Sequence, residues 1–345
     1  MPVTSIGLDH AASSERVSTG IPRLDNMLGM KGYYRGSSIL VTGTAGTGKS
    51  SMAAHFVDAA CRRGERCLYF AFEESRNQIV RNMHSIGIDL AQWVNKGLLE
   101  FRNSRPTFYG LEMHLVSMHK AIESFNPAIV VVDPISNLIA AANELEVKSM
   151  LSRLIDFLKM KGITALCTTL TSGGAVLDHT QVGISSLMDT WILLQAIEGS
   201  GERNRSLYVL KSRGMEHSNQ IREFTLGSNG AELIDVYVGP GGVLTGAARV
   251  AQQAREQFES LEHSQEVERK RRDIDRKKVV VEAQIEALRS AFEAEKDDLE
   301  QSITKLKHSQ EVHIKETQGM ALVRKADDLS QVPEKHAKTK KRGDK

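Results

Sequence analysis

The stretch that decides the fold is ILVTGTAGTGKS, Ile39–Ser50. Its first residues, Ile39–Val41, are apolar and predict a buried strand. A glycine-rich loop, Gly43–Ser50, follows, and the next residues, Ser51–Cys61, predict a helix. A G-x-x-x-x-G-K-[ST] loop between a strand and a helix is the pattern of a P-loop, which cradles the phosphates of a nucleotide. We therefore expect an α/β domain built around this loop.

Each residue type in the loop suits a phosphate. Glycines let backbone N–H groups curve around the anion, and the positive end of the helix faces the same anion. Lys49 is predicted to reach the β- and γ-phosphates of ATP, and the Ser50 hydroxyl to ligate Mg²⁺. The alternative, a glycine-rich turn with a chance Lys-Ser pair, does not account for the flanking strand and helix. The predicted nucleotide-binding residues here are Gly43, Thr44, Ala45, Gly46, Thr47, Gly48, Lys49, Ser50 and Ser51.

Composition sets bounds on the class of protein. With 345 residues, 41% of them hydrophobic, the chain is long enough for two or three ordinary domains. A net charge of +2 gives no overall field that points to nucleic acid or a membrane surface. The three cysteines lack zinc-ligand spacing and indicate reduced thiols. Neither a signal peptide nor a membrane-spanning stretch is found, so a cytoplasmic location is expected.

Apolar runs alternate with helical patterns through the first half of the chain. Cys67–Phe72 predicts a strand buried on both faces, and Ala128–Val132 predicts another that ends in Asp133. An apolar strand ending in an acid, downstream of a P-loop, is the Walker B pattern, whose aspartate helps to hold Mg²⁺. The repeated strand–helix order predicts a mainly parallel sheet with helices on both faces. Four runs without helices between them predict an antiparallel extension, namely 191–197, 206–211, 221–226 and 232–236.

The character of the chain changes after residue 246. No glycine or proline occurs between Gly246 and Gly319, and this segment is rich in strong helix formers. Apolar residues recur there every seven positions in two rows, which predicts a coiled coil that is best between Val281 and Leu306. The alternative is a partly disordered charged tail. The two rows are Val267, Ile274, Val281 and Leu288, and Ile285, Phe292, Leu299 and Leu306.

These patterns predict four regions along the chain. They are a linker or arm over 1–16, a P-loop domain over 17–246, a helical coiled-coil extension over 247–318 and a basic, disordered tail over 319–345. The polar arm looks like a connection between domains, so the chain is expected to be one half of a longer protein.

Several motifs together resemble one known family. In order, they are RVSTGIPRLDNMLG (Arg16–Gly29), GTAGTGKS, FAFEES (Phe70–Ser75), IVVVD (Ile129–Asp133) and LKSRGMEH with IREF (Leu210–Phe224). This set resembles the KaiC family, the RecA-like ATPases and autokinases of bacterial circadian clocks. The resemblance runs from about Arg16 to Val238 and is greatest to the second, C-terminal ATPase half of that two-domain protein. It implies a RecA-like core and does not extend to the predicted coiled coil.

Glu73 and Glu74 directly follow the strand predicted over Cys67–Phe72, and we expect that strand to lie beside the P-loop strand. This places both acids at the carboxyl edge of the sheet, where ligands bind. By position alone, they are either a catalytic pair or acids that favour the next helix through its dipole. The KaiC resemblance implies that the pair supplies the catalytic base. Glu73 is also a predicted Mg²⁺ ligand, together with Ser50 and Asp133.

Two cations, Lys211 and Arg213, lie at the end of the strand predicted over 206–211. By position alone, they indicate only a strand edge that is exposed to solvent. In the KaiC family, the matching Lys and Arg reach the γ-phosphate on the neighbouring subunit and stabilise transition-state charge. The resemblance therefore implies a homo-hexameric ring with ATP at each interface. The implied nucleotide-binding residues are Arg205, Lys211, Ser212, Arg213, Gly214 and His217, of which Lys211 and Arg213 are also implied in catalysis.

Ser185 and Ser186 lie in a loop rich in Thr, Ser and Gly, a composition that carries no functional meaning by itself. They fall where KaiC carries its adjacent phospho-acceptors, and Thr180 matches a third hydroxyl there. The resemblance thus implies serine autophosphorylation. Two departures bear on the balance of kinase, phosphatase and ATPase activities: Ile86 replaces a Trp near the adenine, and Ala140 replaces an Arg after the Walker B strand.

The segment Tyr237–Arg249 aligns with the regulatory loop that KaiA pulls out in this family. Here it runs straight into the predicted coil. We hypothesise that coils of two rings pair into a dodecamer and hold the loop out in place of KaiA, so that removing the residues after about Gly246 slows phosphorylation. A KaiB-like partner is also implied.

The leading prediction is an Mg²⁺-ATP-dependent ATPase and serine autokinase, with autophosphatase activity, in a ring that acts as a timer or signalling switch. One alternative is a nucleic-acid motor of the RecA or DnaB type, because the P-loop core permits it and the tail Lys335–Lys345 is basic. Against it, the core has no basic loop with interleaved aromatics for single strands. Another alternative is a nucleotide-gated scaffold that recruits partners through the coil.

Overall fold

A computed structural model of the chain describes residues 12–105, 110–141, 143–171, 184–199, 201–239 and 242–324. The strands are β1 Arg16–Val17, β2 Tyr33–Tyr34, β3 Ser38–Gly43, β4 Cys67–Ala71, β5 Leu99–Asn103, β6 Ile129–Asp133, β7 Thr164–Leu170, β8 Thr190–Gly199, β9 Glu202–Ser212, β10 Arg222–Gly227, β11 Gly230–Asp235, β12 Tyr237–Gly239 and β13 Gly242–Leu244. The α-helices are α1 Pro22–Met27, α2 Lys49–Arg62, α3 Arg76–His84, α4 Ala91–Asn95, α5 Leu111–Phe125, α6 Glu144–Met160 and α7 Gly246–Val323, with a 3-10 helix at Ile135–Ala141.

Nine strands form one sheet in the order β11-β10-β9-β8-β3-β7-β6-β4-β5. The strands from β8 to β5 run parallel, and β9, β10 and β11 extend the sheet antiparallel. This arrangement confirms the predicted mainly parallel sheet with an antiparallel extension. Every residue of β3, β4 and β6 is buried, which explains why these strands are continuous apolar runs in the sequence.

Helices cover both faces of the sheet, as predicted. Residues of β3 alternate between two cores: Ile39 and Val41 pack with α1, α2, α3 and α4, whereas Leu40 packs with α5 and α6. The P-loop strand is therefore held in the middle of the sheet between two apolar layers. A rigid, central β3 fixes the position of the loop that follows it.

The position of β4 corrects one expectation. The strand that precedes Glu73 and Glu74 does not lie beside the P-loop strand, because β7 and β6 lie between β3 and β4. After β3, the chain crosses over through α2 to β4 and leaves two strand positions between them, which β7 and β6 later fill. The order of strands in the sheet therefore differs from their order in the sequence. The carboxyl ends of β3, β6 and β4 still meet at one edge, since all three strands are parallel.

The chain divides into two compact units, Met1–Glu256 and Gln257–Lys345. Helix α7 begins in the first unit and continues through the second, past the predicted end of the coil at 318. From Gln253 to Met320 every side chain is exposed, including both apolar rows. The domain limits given above stay a prediction, and most of the basic tail lies outside the described residues.

Among the described residues, no helix is both long enough and apolar enough to cross a bilayer.

Candidate nucleotide site and the opposite edge of the sheet

The P-loop connects β3 to α2 and depends on glycine at two positions. Gly46 has φ +78° and Gly48 has φ +97°, a left-handed conformation that side chains disfavour. A Cβ on Gly48 would also lie 2.6 Å from the Phe224 ring. Inside the loop, the Thr47 hydroxyl donates to the Thr44 carbonyl at 2.9 Å. The loop therefore holds a fixed curve ahead of the N-terminus of α2, as the motif predicts.

Lys49 is folded back into this loop. Its ammonium donates to the carbonyl oxygens of Gly43 at 2.9 Å and Thr44 at 2.8 Å. Burial lowers the pKa of Lys49, while the nearby carboxylates of Asp133 and Glu73 oppose that shift. An ammonium has three N–H donors, so one more is available to an anion in the loop. This arrangement fits a phosphate at the P-loop.

A cleft of about 290 Å³ lies in front of the loop. Its lining includes three acids, Glu73, Glu74 and Asp133, and six residues in and next to the P-loop, namely Ala45, Gly46, Gly48, Lys49, Ser50 and Ser51. These acids come from the ends of β4 and β6, and Lys49 is the first residue of α2, directly after the loop that follows β3. The cleft thus brings together the residues of three separate motifs at the carboxyl edge of the sheet, where open α/β sheets bind ligands.

Asp133 is held by two hydroxyls that the sequence analysis missed. The Tyr69 and Thr168 hydroxyls donate to its two carboxylate oxygens. Burial and the Asp133 charge raise the pKa of Tyr69, so its proton stays in place. A single tyrosine within an otherwise apolar strand, CLYFA, was the available signal, because a buried hydroxyl needs a partner.

The two adjacent acids differ in their surroundings. Glu74 is half-buried and accepts a hydrogen bond from Asn82 at 2.9 Å, whereas Glu73 is exposed to the cleft. Within the described chain, no side-chain hydrogen bond involves Glu73. The start of α3 is stabilised instead by Ser75 and Gln78, which form a capping box. The acids are thus not needed as caps, and Glu73 is the carboxylate available for chemistry.

The residues present fit Mg²⁺. The Ser50 hydroxyl, the Asp133 carboxylate and Glu73 line the cleft beside the phosphate site, and these are the oxygen donors that Mg²⁺ prefers. No group of three or more His, Cys, Asp or Glu residues that could hold a metal occurs in the part of the chain that the structure describes. Mg²⁺ commonly binds through one or two protein ligands plus substrate phosphates, which matches this set.

The predicted second group of residues lies elsewhere. Lys211 donates to the carbonyl of Ser185 at 3.0 Å, and Arg213 donates to the carbonyl of Ser186 at 2.8 Å. Burial and the charge of Arg213 lower the pKa of Lys211, and the charge of Asp189 opposes this shift. The two cations and the two serines therefore form one cluster, which we call the serine–cation cluster.

This cluster is at the edge of the sheet opposite the P-loop. Ser212 pairs with Thr190, which pairs with Ile39 near the start of β3, whereas the P-loop follows the end of β3. At roughly 3.3 Å per residue, the length of β3 separates the two edges by about 16 Å. Lys211 and Arg213 cannot span that distance, so they do not reach the P-loop of their own chain.

Arg205 is separated from the serine–cation cluster along β9. It pairs with Ala196 near the far end of β8, and its Nε donates to the carbonyl of Gly46 at 3.0 Å. The structure thus places Arg205 against the P-loop of its own chain, and contact with a neighbouring nucleotide stays a prediction. His217 is exposed, and Gly214 accepts a hydrogen bond from Tyr34 at 2.9 Å.

Ile86 is not among the residues that line the cleft. Ile86 packs against the core beside α3. Thr180 lies outside the described residues.

Comparison with known proteins agrees with this geometry. The family model for the KaiC ATPase matches residues 17–238. The chain belongs to the KaiC ATPase family. The KaiC limits inferred from the motifs, about Arg16 to Val238, nearly coincide with the matched range, and the resemblance drawn from sequence is confirmed.

Three relatives illustrate the similarity. Circadian clock protein KaiC2 of Synechocystis is 51% identical over 302 residues, 87% of this chain and 53% of the relative. KaiC3 of the same organism is 37% identical over 249 residues, 71% of this chain and 49% of the relative. The oscillator protein KaiC of Acaryochloris marina is 34% identical over 252 residues, 71% of this chain and 47% of the relative. The chain spans about half the length of these relatives.

The match to KaiC2 also bears on α7. Only 245 residues precede α7, so a match over 302 residues must continue into that helix. The sequence similarity to this KaiC2 therefore extends beyond the KaiC ATPase domain into the segment that forms α7 here.

Proposed function

We propose that this chain is an Mg²⁺-ATP-dependent ATPase and serine autokinase, with autophosphatase activity, that forms a KaiC-like ring and acts as a timer or signalling switch. One observation carries this proposal: the site residues are divided between two opposite edges of the sheet. The P-loop, Glu73 and Asp133 lie at one edge, and the serine–cation cluster lies at the other. One subunit cannot bring the two edges together, but a ring of subunits can.

At the first edge, the residues suit phosphoryl transfer. Lys49 and the loop N–H groups would bind the phosphates of ATP, and Ser50, Asp133 and Glu73 would hold Mg²⁺, which neutralises the charge that develops during transfer. Glu73 is available to accept a proton from attacking water in hydrolysis, or from a serine hydroxyl in autophosphorylation. In either case, the bond between the γ-phosphorus and the bridging oxygen breaks, and ADP leaves.

At the second edge, the cluster would complete a neighbouring subunit's site. Lys211 and Arg213 are cations that can stabilise charge on the transferred phosphoryl group. Because they also hold the backbone at Ser185 and Ser186, they would bring those hydroxyls toward the same nucleotide. We propose a homo-hexamer on this basis and from the family, with Ser212, Gly214 and His217 at the same interface.

The coil suggests a second level of assembly. Apolar rows of α7 are exposed over a long helix, and burial against another helix would stabilise it. We propose that coils from two rings pair into a dodecamer and regulate phosphorylation, with a KaiB-like partner. A cytoplasmic setting is supported by the three cysteines, all of which are free thiols.

The deciding experiment is intact-mass spectrometry of the protein incubated with Mg²⁺-ATP, followed by peptide mapping. We expect phosphate on Ser185 or Ser186 in the wild type and none in Lys49→Ala, which lacks the P-loop ammonium. Continued ATP hydrolysis without added mass would reject the autokinase and favour a simple ring ATPase. Stimulation of that hydrolysis by single-stranded DNA would instead support the nucleic-acid motor.

A further inference from the structure

Ser185 and Ser186 are the two central residues of a tight turn. The N–H of Leu187 donates to the carbonyl of Ile184 at 2.9 Å, which is the hydrogen bond that closes a β-turn. Ile184 and Met188, before and after this turn's centre, are fully buried, whereas Ser185 is half-buried and Ser186 is exposed. Buried residues therefore fix a short segment whose serines lie near the surface. We call this segment, which begins at Ile184 and ends at Leu187, the serine turn.

Asp189 connects the end of the serine turn to the central strand of the sheet. Its N–H donates to the Ser38 carbonyl at 2.9 Å, and its carboxylate accepts from the N–H and the hydroxyl of Ser38, both at 2.9 Å. Ser38 is the first residue of β3. The Asp189 carbonyl also accepts from the N–H of Arg213 at 2.8 Å. One residue thus joins the serine turn, the start of β3 and a cation of the serine–cation cluster.

Lys159, near the end of α6, completes the surroundings of Asp189. Its ammonium lies 2.8 Å from one carboxylate oxygen and 3.0 Å from the other, and the two side chains are only 19% and 21% exposed. Burial raises the pKa of Asp189, but the hydrogen bonds from Lys159 and Ser38 outweigh burial and hold this pKa below its usual value. Asp189 is therefore ionised at neutral pH, and its charge strengthens the hydrogen bonds that it accepts.

We infer that Asp189 and Lys159 are positioning residues for phosphoryl transfer to Ser185 and Ser186. The inference rests on the proposed autophosphorylation between subunits. In that reaction, a serine oxygen bonds to the γ-phosphorus on the neighbouring subunit, the bond from phosphorus to the bridging oxygen breaks, and ADP leaves. The serine proton passes to Glu73 at that site. The attacking oxygen must be held close to the phosphorus and in line with the breaking bond.

A serine on a surface turn needs such an anchor more than a water molecule does. The serine hydroxyl moves with its backbone, and a misplacement of about 1 Å can slow a reaction by about 10²-fold. Water reaches the phosphorus independently of the serine turn, so hydrolysis depends on the cations and the base. The backbone hydrogen bonds of Asp189 to Ser38 and Arg213 survive a change of its side chain, which keeps the cations in place. Loss of the carboxylate should therefore slow phosphorylation and largely spare hydrolysis.

The test compares two rates on the same preparation of the full chain with Mg²⁺-ATP. Mass spectrometry with peptide mapping gives the rate at which the two serines gain phosphate, and release of inorganic phosphate gives the rate of hydrolysis. In Asp189→Asn, which keeps the size of the side chain, we expect phosphorylation to fall by about 10²-fold and hydrolysis to stay within a few-fold. Asp156→Asn removes a half-buried carboxylate one turn before Lys159 on α6 and, as the matched control, should behave as the wild type.

Variants of Lys159 show whether it acts through Asp189. Lys159→Met should slow phosphorylation less than Asp189→Asn does, and Lys159→Arg should restore most of the rate. The double variant Asp189→Asn with Lys159→Met should be no slower than Asp189→Asn alone, because the two changes remove one shared interaction. Lys159→Met is also the second route if Asp189→Asn does not fold, since it leaves the hydrogen bonds to Ser38 intact.

The two rates separate the possible roles of this ion pair. A merely structural pair would lower stability and slow phosphorylation and hydrolysis to the same extent. An equal fall in both rates, or no fall in phosphorylation, would overturn the inference and leave the proposed function intact. A wild type that hydrolyses ATP without gaining phosphate would reject the autokinase and the inference together.

Discussion

Glu73 and Glu74 are neighbours in sequence, but their side chains have different surroundings. The peptide chain bends after β4, and Glu74 accepts a hydrogen bond from Asn82 of α3 at 2.9 Å. Glu73 is directed to the cleft that also holds Lys49 and Asp133. A base must be free to take a proton and lie close to the reacting group, and these surroundings favour Glu73.

Replacing Glu73 by Gln should lower the rate of ATP hydrolysis by about 10²–10⁴-fold, the usual contribution of a general base. ATP binding should fall much less than turnover, because glutamine keeps the size of the side chain and one oxygen that can face Mg²⁺. Turnover and nucleotide affinity measured on the same preparation check this prediction.

Two further variants sharpen the result. Glu74→Gln can still accept from Asn82, so we expect a smaller loss. Glu123→Gln removes an exposed carboxylate on α5 and should behave as the wild type. A Glu73→Gln enzyme that keeps its rate within a few-fold would show that another group accepts the proton.

At the scale of an element, the sequence of α7 indicates the orientation in which two copies of this helix would pair. We can place two copies of α7 antiparallel, with the two-fold axis between Glu286 and Ala287. Every apolar residue of the two rows then faces an apolar residue of the other copy, and Lys278 faces Glu295. The facing pairs are Ile285 with Leu288, Val281 with Phe292, Ile274 with Leu299 and Val267 with Leu306. A parallel, in-register pair would instead set Lys278 against Lys278 and Glu295 against Glu295, which repel.

The distribution of charge agrees with the antiparallel register. Between Arg269 and Lys278, seven basic and two acidic residues give a net charge of +5. Between Glu293 and Glu300, five acidic residues and one basic residue give −4. The antiparallel register lays the basic block of one helix along the acidic block of the other. Charge complementarity of this kind selects orientation and register.

We therefore predict that Lys278→Glu shifts the assembly from paired toward single rings by about tenfold or more, since several weakened coils act together. Mass photometry distinguishes the two species. The double variant Lys278→Glu with Glu295→Lys should restore pairing, because it re-forms the facing charges in the antiparallel register. In a parallel coil, the double variant keeps like charges opposite each other, and failure of the rescue would exclude the antiparallel arrangement.

At the scale of the whole molecule, one sheet presents two incomplete half-sites. The P-loop edge has the proposed nucleotide ligands and the proposed base, and the opposite edge has the serine–cation cluster. β3 is buried in the centre of the sheet, so the distance between the two edges is fixed within one subunit. The proposed phosphorylation must then pass between subunits.

Mixed rings test this directly. Lys49→Ala cannot use its own nucleotide, and a chain with Thr180→Ala, Ser185→Ala and Ser186→Ala lacks all three predicted acceptors. Neither variant alone should be labelled, but co-expressed rings should carry phosphate on the Lys49→Ala chain. Peptide mapping identifies the labelled chain, because a phosphopeptide that still contains both serines can come only from the Lys49→Ala chain. Co-expression of two acceptor-less chains is the control, and an unlabelled mixed ring would contradict transfer between subunits.

What the sequence determined by itself is local. Short local patterns predict four features of the fold: the P-loop, the Walker B strand, the antiparallel extension and α7. Each depends on glycines, apolar runs or helix formers within about 15 residues, so it can be recognised from the sequence alone. The KaiC resemblance rests on the same short motifs. For this reason the P-loop residues and Asp133 could be named from the order of residues alone.

What only the tertiary structure decided is non-local. It placed β4 beside β6 rather than β3, put the Tyr69 and Thr168 hydroxyls on Asp133, and set Arg205 against its own P-loop while Lys211 lies at the other edge. These facts depend on which strands become neighbours in the sheet. Strand order is decided by long-range packing of apolar faces, and no short stretch of sequence encodes it.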